Sequence, residues 1–408
     1  MNSLSKLFWL ALGAFAIGTE SYSLAGLLPM VSHDLGVTLA LAGQLITAFA
    51  LAYAVGSPLL AVATAVIDRR LVLLSSITAF GLFNLLAAFA PSYSILFVAR
   101  VGMALSAGTF MPAASAYAVA VSHANQRGRA LSIIYSGLTF ATVLGVPVGV
   151  MAGARFGWRS IFLGAAGLSL AALLGLAFQL RRIPLNAAAS LGERFAVARR
   201  PDVLSALAIT VMALTGAFTV YTYLAPFLAE TTHLTGNSVA LVLFLFGFGS
   251  TIGNLVAGGA ADRFGPDRVM SVILLSLIGL FTLLSLAAEF LPPSEARWVI
   301  IPVVGLWGFV GFSFPATQQT RLVALAPRQA PITISLNASA IYLGISIGAV
   351  LGSIVVSHHA VAGIGWVAAA CDVLAFGTLM ASRTRSALKT TPDIRIQYSE
   401  PSTANSSS

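Results

Sequence analysis

The sequence predicts an all-α integral membrane protein, with twelve transmembrane helices arranged as two pseudo-symmetric six-helix bundles. Three observations lead to this class. The first is composition: of 408 residues, 58% are hydrophobic and only 9% charged, whereas a soluble domain carries about a quarter charged residues. The second is a succession of apolar runs of bilayer-spanning length, twelve in all. The third is an internal repeat that divides those runs into six plus six.

The runs lie near 7–30, 40–63, 71–90, 93–121, 130–153, 159–180, 204–228, 238–260, 268–290, 298–325, 331–357 and 361–382. The first is too long for the apolar core of a signal peptide, carries Glu20 near its middle and is followed by no small-residue cleavage site. It is therefore expected to remain as a membrane helix. Most connections are short. The polar, basic stretch from Arg181 to Pro201 is the exception, and it divides the chain into an N-terminal bundle (1–180), a cytoplasmic linker (181–203) and a C-terminal bundle (204–382). The Ser-, Thr- and charge-rich tail, 383–408, reads as disordered.

Charge placement sets the expected orientation. With the N-terminus inside, the inner segments collect 18 of the 22 lysines and arginines, and the outer loops hold only Arg155, Arg159 and Arg297. Arg100 alone is left inside a helix. Both termini of this multi-pass protein are thus predicted to be cytoplasmic. The net charge of +9 is accounted for as topogenic charge, which excludes nucleic acid as a partner. A lone Cys371 excludes disulfides and thiolate metal sites, and the five histidines, of which His358 and His359 form a loop pair, make no ligand pattern. No metal or cofactor is expected.

Fixed offsets reveal the repeat. Gly13-Ala14-Phe15 and Thr19 recur 203 residues later as Gly216-Ala217-Phe218 and Thr222, and Gly102, Gly108 and Pro112 recur as Gly305, Gly311 and Pro315. The fifth run carries Gly145, Gly149 and Gly153, and the eleventh Gly344, Gly348 and Gly352. Four-residue spacing puts small residues on one helix face, where backbones can approach closely. Two such halves with a site between them at mid-membrane is a transporter architecture.

At this point the chain resembles the major facilitator superfamily across all twelve helices. More narrowly it resembles the drug:proton antiporter branch that exports chloramphenicol, arabinose or purine nucleosides. Gly18-Thr19-Glu20 through Leu27-Leu28-Pro29 is similar to that branch's opening signature. Gly249 through Ala261-Asp262-Arg263-Phe264-Gly265, with Gly253 inside it, resembles the superfamily's motif between the eighth and ninth helices. Arg100, Gly102 and Gly108 resemble its helix 4 arginine motif. Gly137 through Gly153, with Gly145-Val146-Pro147 and Gly149, resembles its helix 5 antiporter motif. Gly157-Trp158-Arg159 and Phe162 fit the following outer loop. The first loop departs from the pattern, with Ala65 where the motif has aspartate and Asp68 where it has glycine. For Asp262 and Arg263 the resemblance implies a conformational latch of charged contacts between helices.

Within this frame the candidates can be named. A carboxylate at the bilayer centre costs about 2.5–3.5 kcal/mol, so Glu20 is either a proton-coupling group or a structural acid bonded to a neighbour. Arg100 is expected to pair with Glu20, helix dipoles or backbone carbonyls, as a modulator of Glu20 or as a brace. Asp372 in the twelfth helix either pairs locally or forms a second proton site, and Glu230 reads as a solvated rim charge. Binding pockets are mostly apolar with a few placed polar groups. That criterion nominates Glu20 itself, Tyr22, Phe218, Tyr221, Tyr223, Phe244, Phe246, Asn254, Trp307, Phe312, Asn337 and Tyr342 as cavity lining. Tyr223 ranks high because it occupies the repeat position of Glu20, and Asn337 because it is a buried amide.

The resulting expectation is a monomeric proton-coupled antiporter that exports small amphipathic compounds by alternating access. Its partners would be the substrate, protons and membrane lipid. An exporter of a sugar or purine nucleoside metabolite is the alternative. A membrane-embedded enzyme or receptor is a more distant one, since the helices supply no convergent nucleophile–base or metal set.

Overall fold

The computed structural model of the protein describes residues 3–123, 126–181, 191–358 and 360–390. The expectations for linker residues 182–190, for His359 and for tail residues 391–408 fall outside the described residues. Among the described residues there is no strand, and twelve helices are long and apolar enough to cross a membrane. They are α1 (Leu7–Leu35), α2 (Leu39–Ala63), α3 (Arg69–Ala88), α4 (Tyr93–Val121), α5 (Gly128–Phe156) and α6 (Arg159–Gln179). The second set is α7 (Pro201–Thr222), α8 (Asn237–Phe264), α9 (Pro266–Phe290), α10 (Pro293–Leu325), α11 (Pro327–Ser357) and α12 (Val361–Arg383). A short linker helix, Leu191–Ala198, lies between the two sets.

Local chemistry fixes where the helices start. Thr38 caps α2, its Oγ1 accepting from Leu41 N at 3.1 Å, and Asp68 caps α3 by accepting from Arg70 N at 3.0 Å. Gly265, at φ 85°, makes the reversal that only glycine takes without strain, and Pro266 opens α9 with its φ already set.

Two helices differ from the predicted runs, for one reason. α1 leaves α-geometry at Ser23, passes through a 3₁₀ turn (Leu24–Leu27) and resumes from Leu28 to Leu35, further than the run ending at 30. α7 stops at Thr222, and what reads as its continuation to 228 is a separate helix, Leu224–Thr232. Pro29 and Pro226 lie just beyond these breaks. Each lacks the N–H that would close the turn four residues back. α5 is interrupted by a π segment, Ala141–Gly145, immediately before Pro147.

Packing repeats as the sequence does. α1 packs on α5 and α6, α2 and α3 on α4, and α3 on α6. In the other half α7 packs on α11 and α12, α8 and α9 on α10, and α9 on α12. The bundles meet along α2–α11 and α5–α8, contacts that the repeat interchanges. The predicted glycine faces form the tightest seams. A Cβ on Gly145 would strike Thr19, one on Gly149 would sit 2.8 Å from Ser23 Oγ, and one on Gly153 2.8 Å from Leu27, all on α1. On α11, a Cβ at Gly344 would lie 2.7 Å from Val211 O, and those at Gly348 and Gly352 would meet Thr215, Thr219 and Tyr223 of α7. Such contact is how helices associate where lipid removes the hydrophobic drive.

Gly145→Val should therefore lower the apparent melting temperature in detergent, by the equivalent of about 1–3 kcal/mol for overpacking. Gly167→Ala, in open space on α6, should leave it unchanged. Equal effects of the two substitutions in a thermal-shift assay would contradict the seam.

Candidate functional site

α1 carries Glu20 one turn before its break, and α4 delivers Arg100 opposite it. Arg100 Nη1 donates to Glu20 Oε1 in a salt bridge from which both side chains exclude solvent. The guanidinium is held from a third helix as well. Its Nε donates to the Leu45 carbonyl at 3.2 Å, and its Cζ lies 4.4 Å from the centre of the Phe49 ring, both on α2. The three helices converge on one charge pair. The ring face adds a cation–π contact of about 1–2 kcal/mol at a desolvated site. Ser21 Oγ stands 3.5 Å from the other carboxylate oxygen, Oε2. On either side of Glu20 on α1, the hydroxyls of Thr19 and Ser23 are buried without a hydrogen-bond partner.

Beside the pair, aromatic side chains of both bundles interlock. Tyr22 lies 6.2 Å from Tyr221 and 6.4 Å from Phe218, and Tyr221 Oη donates to the Tyr22 carbonyl at 3.3 Å. Tyr221 continues into Phe246 at 5.4 Å, which reaches Trp307 at 4.8 Å and Phe312 at 5.9 Å. Further along α2, the ring of Tyr53 stacks on Tyr342 of α11, centroids 3.6 Å apart and planes at 20°. Phe49 lies 6.4 Å from each of them. Tyr53 and Phe49 were not among the sequence candidates. An aromatic residue in an apolar run carries no mark of whether it faces lipid, core or the opposite bundle.

Other candidates are placed differently. Tyr223 is buried at the break of α7, its hydroxyl 3.4 Å from the Ala349 carbonyl. It thus wedges between α7 and α11 with its hydroxyl in the space left by Gly43 of α2, and does not join the aromatic cluster. Asn337 belongs to a hydrogen-bond network inside the C-terminal bundle. Thr210 Oγ1 donates to Asn337 Oδ1 at 2.7 Å, and Gln318 Nε2 reaches Thr210 at 2.9 Å and the Ala206 carbonyl at 2.6 Å. An amide satisfied this way holds its own bundle together. Asn254 is exposed on α8 and makes none of these contacts, and Phe244 stacks instead on Phe248, at 6.5 Å. Glu230 is exposed beyond α7.

The latch expected at Asp262 and Arg263 is not formed in this conformation. Both side chains are exposed, and Arg263 lies over Phe264. The ion pair at that turn uses its neighbours instead: Arg321 Nε donates to Asp267 Oδ1 at 2.7 Å, and Arg321 Nη2 to Ser382 Oγ at 3.1 Å. Arg321 was counted with the basic loops, and Arg100 was taken as the one arginine inside a helix. The tenth run, 298–325, already contained Arg321, which lies within α10, is 5% exposed and joins α9, α10 and α12. Gly253, inside that motif, is closely approached, with Phe309 of α10 filling the space of a Cβ.

Asp372 lies midway along α12, not toward one end, and is fully buried with both carboxyl oxygens unpartnered. A local pair is thereby ruled out in this conformation. No cluster of three or more potential metal ligands occurs among the described residues.

Breaking a buried ion pair by removing one partner costs about 3–5 kcal/mol, and removing both costs less. Glu20→Gln and Arg100→Gln should each destabilise the protein on that scale. The double variant should cost clearly less than their sum in denaturant unfolding from detergent micelles. Additive effects would mean the two groups are not coupled.

The profile of the major facilitator superfamily matches residues 10–349 and 206–395. An Escherichia coli inner membrane transport protein, YdhP, is 35% identical over 360 residues, covering 88% of this chain and 90% of that protein. An uncharacterised transporter of the superfamily from Bacillus subtilis, YbcL, is 31% identical over 370 residues, covering 90% and 93%. Among solved structures, a bacterial homologue of the human lysosomal transporter Spinster, inward-facing and occupied, superposes with a TM-score of 0.73 at 18% identity over 94% of this chain and 97% of its own. A D-xylose–proton symporter superposes with a TM-score of 0.76 at 15% identity over 92% and 97%.

Proposed function

The chain belongs to the major facilitator superfamily, and on that premise we propose that it is a proton-coupled antiporter exporting small amphipathic compounds, chloramphenicol-like drugs among them. It works as a monomer in a bacterial inner membrane, with both termini cytoplasmic. The observation that carries this reading is the solvent-excluded Glu20–Arg100 pair beside the aromatic junction of the two bundles. The orientation rests on the uneven placement of lysine and arginine, and the membrane on the similarity to an inner membrane transport protein.

The coupling follows from charge burial. A carboxylate in the apolar core is tolerated either beside a cation or as a neutral acid. While Arg100 pairs with it, Glu20 can be ionised. When the bundles rock and Arg100 leaves Glu20 while keeping its hold on the Leu45 carbonyl and Phe49, Glu20 must take up a proton. Substrate entering the aromatic junction separates the rings that close it, above all Tyr53 from Tyr342. Substrate binding and proton binding thus compete for one arrangement of α1, α2 and α4, which is the condition for exchange. The π interruption and Pro147 put the bend of α5 against the α1 segment that carries Glu20. The distances within the aromatic set favour a substrate with a flat ring, and the internally neutralised charge pair favours one without a strong net charge.

Two measurements test the reading. In proteoliposomes, Glu20→Gln should lose chloramphenicol-induced proton movement, whereas Glu20→Asp, which keeps the carboxylate, should retain it. Export by the Gln variant at the wild-type rate under a pH gradient would refute the coupling. Separately, Tyr53→Ala or Tyr342→Ala should raise the KM for chloramphenicol about 3–10-fold, the worth of one aromatic contact. An unchanged KM in both would place the substrate elsewhere.

A further inference from the structure

The C-terminal bundle contains a charged-type residue that the mechanism above does not use. Asp372 stands midway along α12, and its side chain is sealed from solvent. Neither oxygen has a hydrogen-bond partner. The surrounding helices offer no countercharge. α12 packs on α7 and α9, and α7 has no ionisable side chain between Asp202 and Tyr221, nor α9 between Arg268 and Glu289. α11 touches α12 lightly and carries only Tyr342 within its apolar length, and α10 has none between Arg297 and Arg321. On α12 itself the one neighbouring titratable group is the half-buried thiol of Cys371. The seam is also tight: a Cβ on Gly216 of α7 would sit 2.7 Å from the Ala368 carbonyl and 3.3 Å from Cys371 Cβ.

An ionised carboxylate with no cation and no donor, sealed from solvent, is not tolerated in such a place. A neutral carboxylic acid is, at the smaller cost of an unmade hydrogen bond. A metal cation would need several converging ligands, and no group of three or more His, Cys, Asp or Glu that could hold one occurs among the described residues. We propose that Asp372 is a second proton-binding site, in the bundle opposite Glu20, holding its proton in this conformation. Release needs the α7–α12 seam to admit water. α7 is the helix able to transmit that opening, since it is broken at Tyr223 and places Phe218 and Tyr221 at the junction between bundles. Movement of the aromatic contacts on substrate entry would then shift α7 against α12. The occupancy of the site stands on the C-terminal geometry alone. Only the use of its proton rests on the antiport reading.

The test has two arms on the full-length protein in liposomes. In infrared spectra at neutral pH, the wild type should show the carbonyl stretch of a neutral carboxylic acid. The band should vanish in Asp372→Asn and persist in Asp372→Glu and Cys371→Ser. A band undiminished by Asp372→Asn would overturn the proposal. In the second arm, the limiting chloramphenicol accumulation is measured against an imposed pH gradient. One coupled proton fewer removes one power of the gradient, so Asp372→Asn should accumulate about tenfold less at a tenfold proton gradient. Unchanged accumulation together with a lost band would overturn the coupling role of the site while leaving its occupancy in place. A wild type that does not respond to the gradient would instead overturn the antiport reading, with the infrared arm still deciding Asp372.

Discussion

The burial of two opposite charges, Glu20 and Arg100, in an apolar interior is the constraint on which the N-terminal bundle depends. Neither is affordable there alone, and together they pay only if the remaining donors and faces are also used. That requirement explains why α2 supplies both a backbone carbonyl, from Leu45, and an aromatic face, from Phe49, to the guanidinium. It also explains why α1, α2 and α4 are brought together near the break of α1. The pair is a fixed point around which helices can only exchange partners in a few discrete ways. A limited set of discrete arrangements is what a two-state carrier needs.

The mobility comes from the seams, not from the pair. Glycine faces on α5 and α11 let each helix lie close against α1 or α7 with no side chain of its own at those points of contact. Such surfaces slide at little cost, because few rotamers have to change. The side chains that do interlock lie across the bundle boundary, as Tyr22 with Tyr221 and Tyr53 with Tyr342. Rigid bundles with slippery internal seams and an aromatic junction favour rocking about the centre over local deformation.

How much of this the sequence revealed depended on whether a residue's surroundings are forced by its own chemistry. The spans were legible because a bilayer admits helices of set length and little else. The Glu20–Arg100 contact was legible because each group needs the other. Breaks at Ser23 and Tyr223 were missed although Pro29 and Pro226 were in view, since proline tells where a helix is weakened and not whether it yields. Asn337 was placed in the cavity because a buried amide needs partners, but Thr210 and Gln318 meet that need inside its own bundle. Asp262 and Asp267 lie five residues apart on one turn, and only the rotation of α10 decides that Arg321 reaches the second. Tyr53 gave no signal at all.

The two halves descend from one plan yet meet the same difficulty in different ways. At the repeat position of Glu20 stands Tyr223, and at that of Arg100 stands Val303, both buried. The C-terminal bundle therefore has no central ion pair, and its space is filled by Tyr221, Phe246, Phe281 and Trp307 in ring contact. Its acid is displaced to α12, where neither carboxyl oxygen has a partner. One half thus holds a carboxylate whose charge is answered by an arginine, and the other an acid whose charge nothing answers. In the proposed mechanism the first changes its state when partners exchange, and the second only when water is admitted. Two acids that respond to different events in one rocking motion give that motion an order, which a symmetric pair would not.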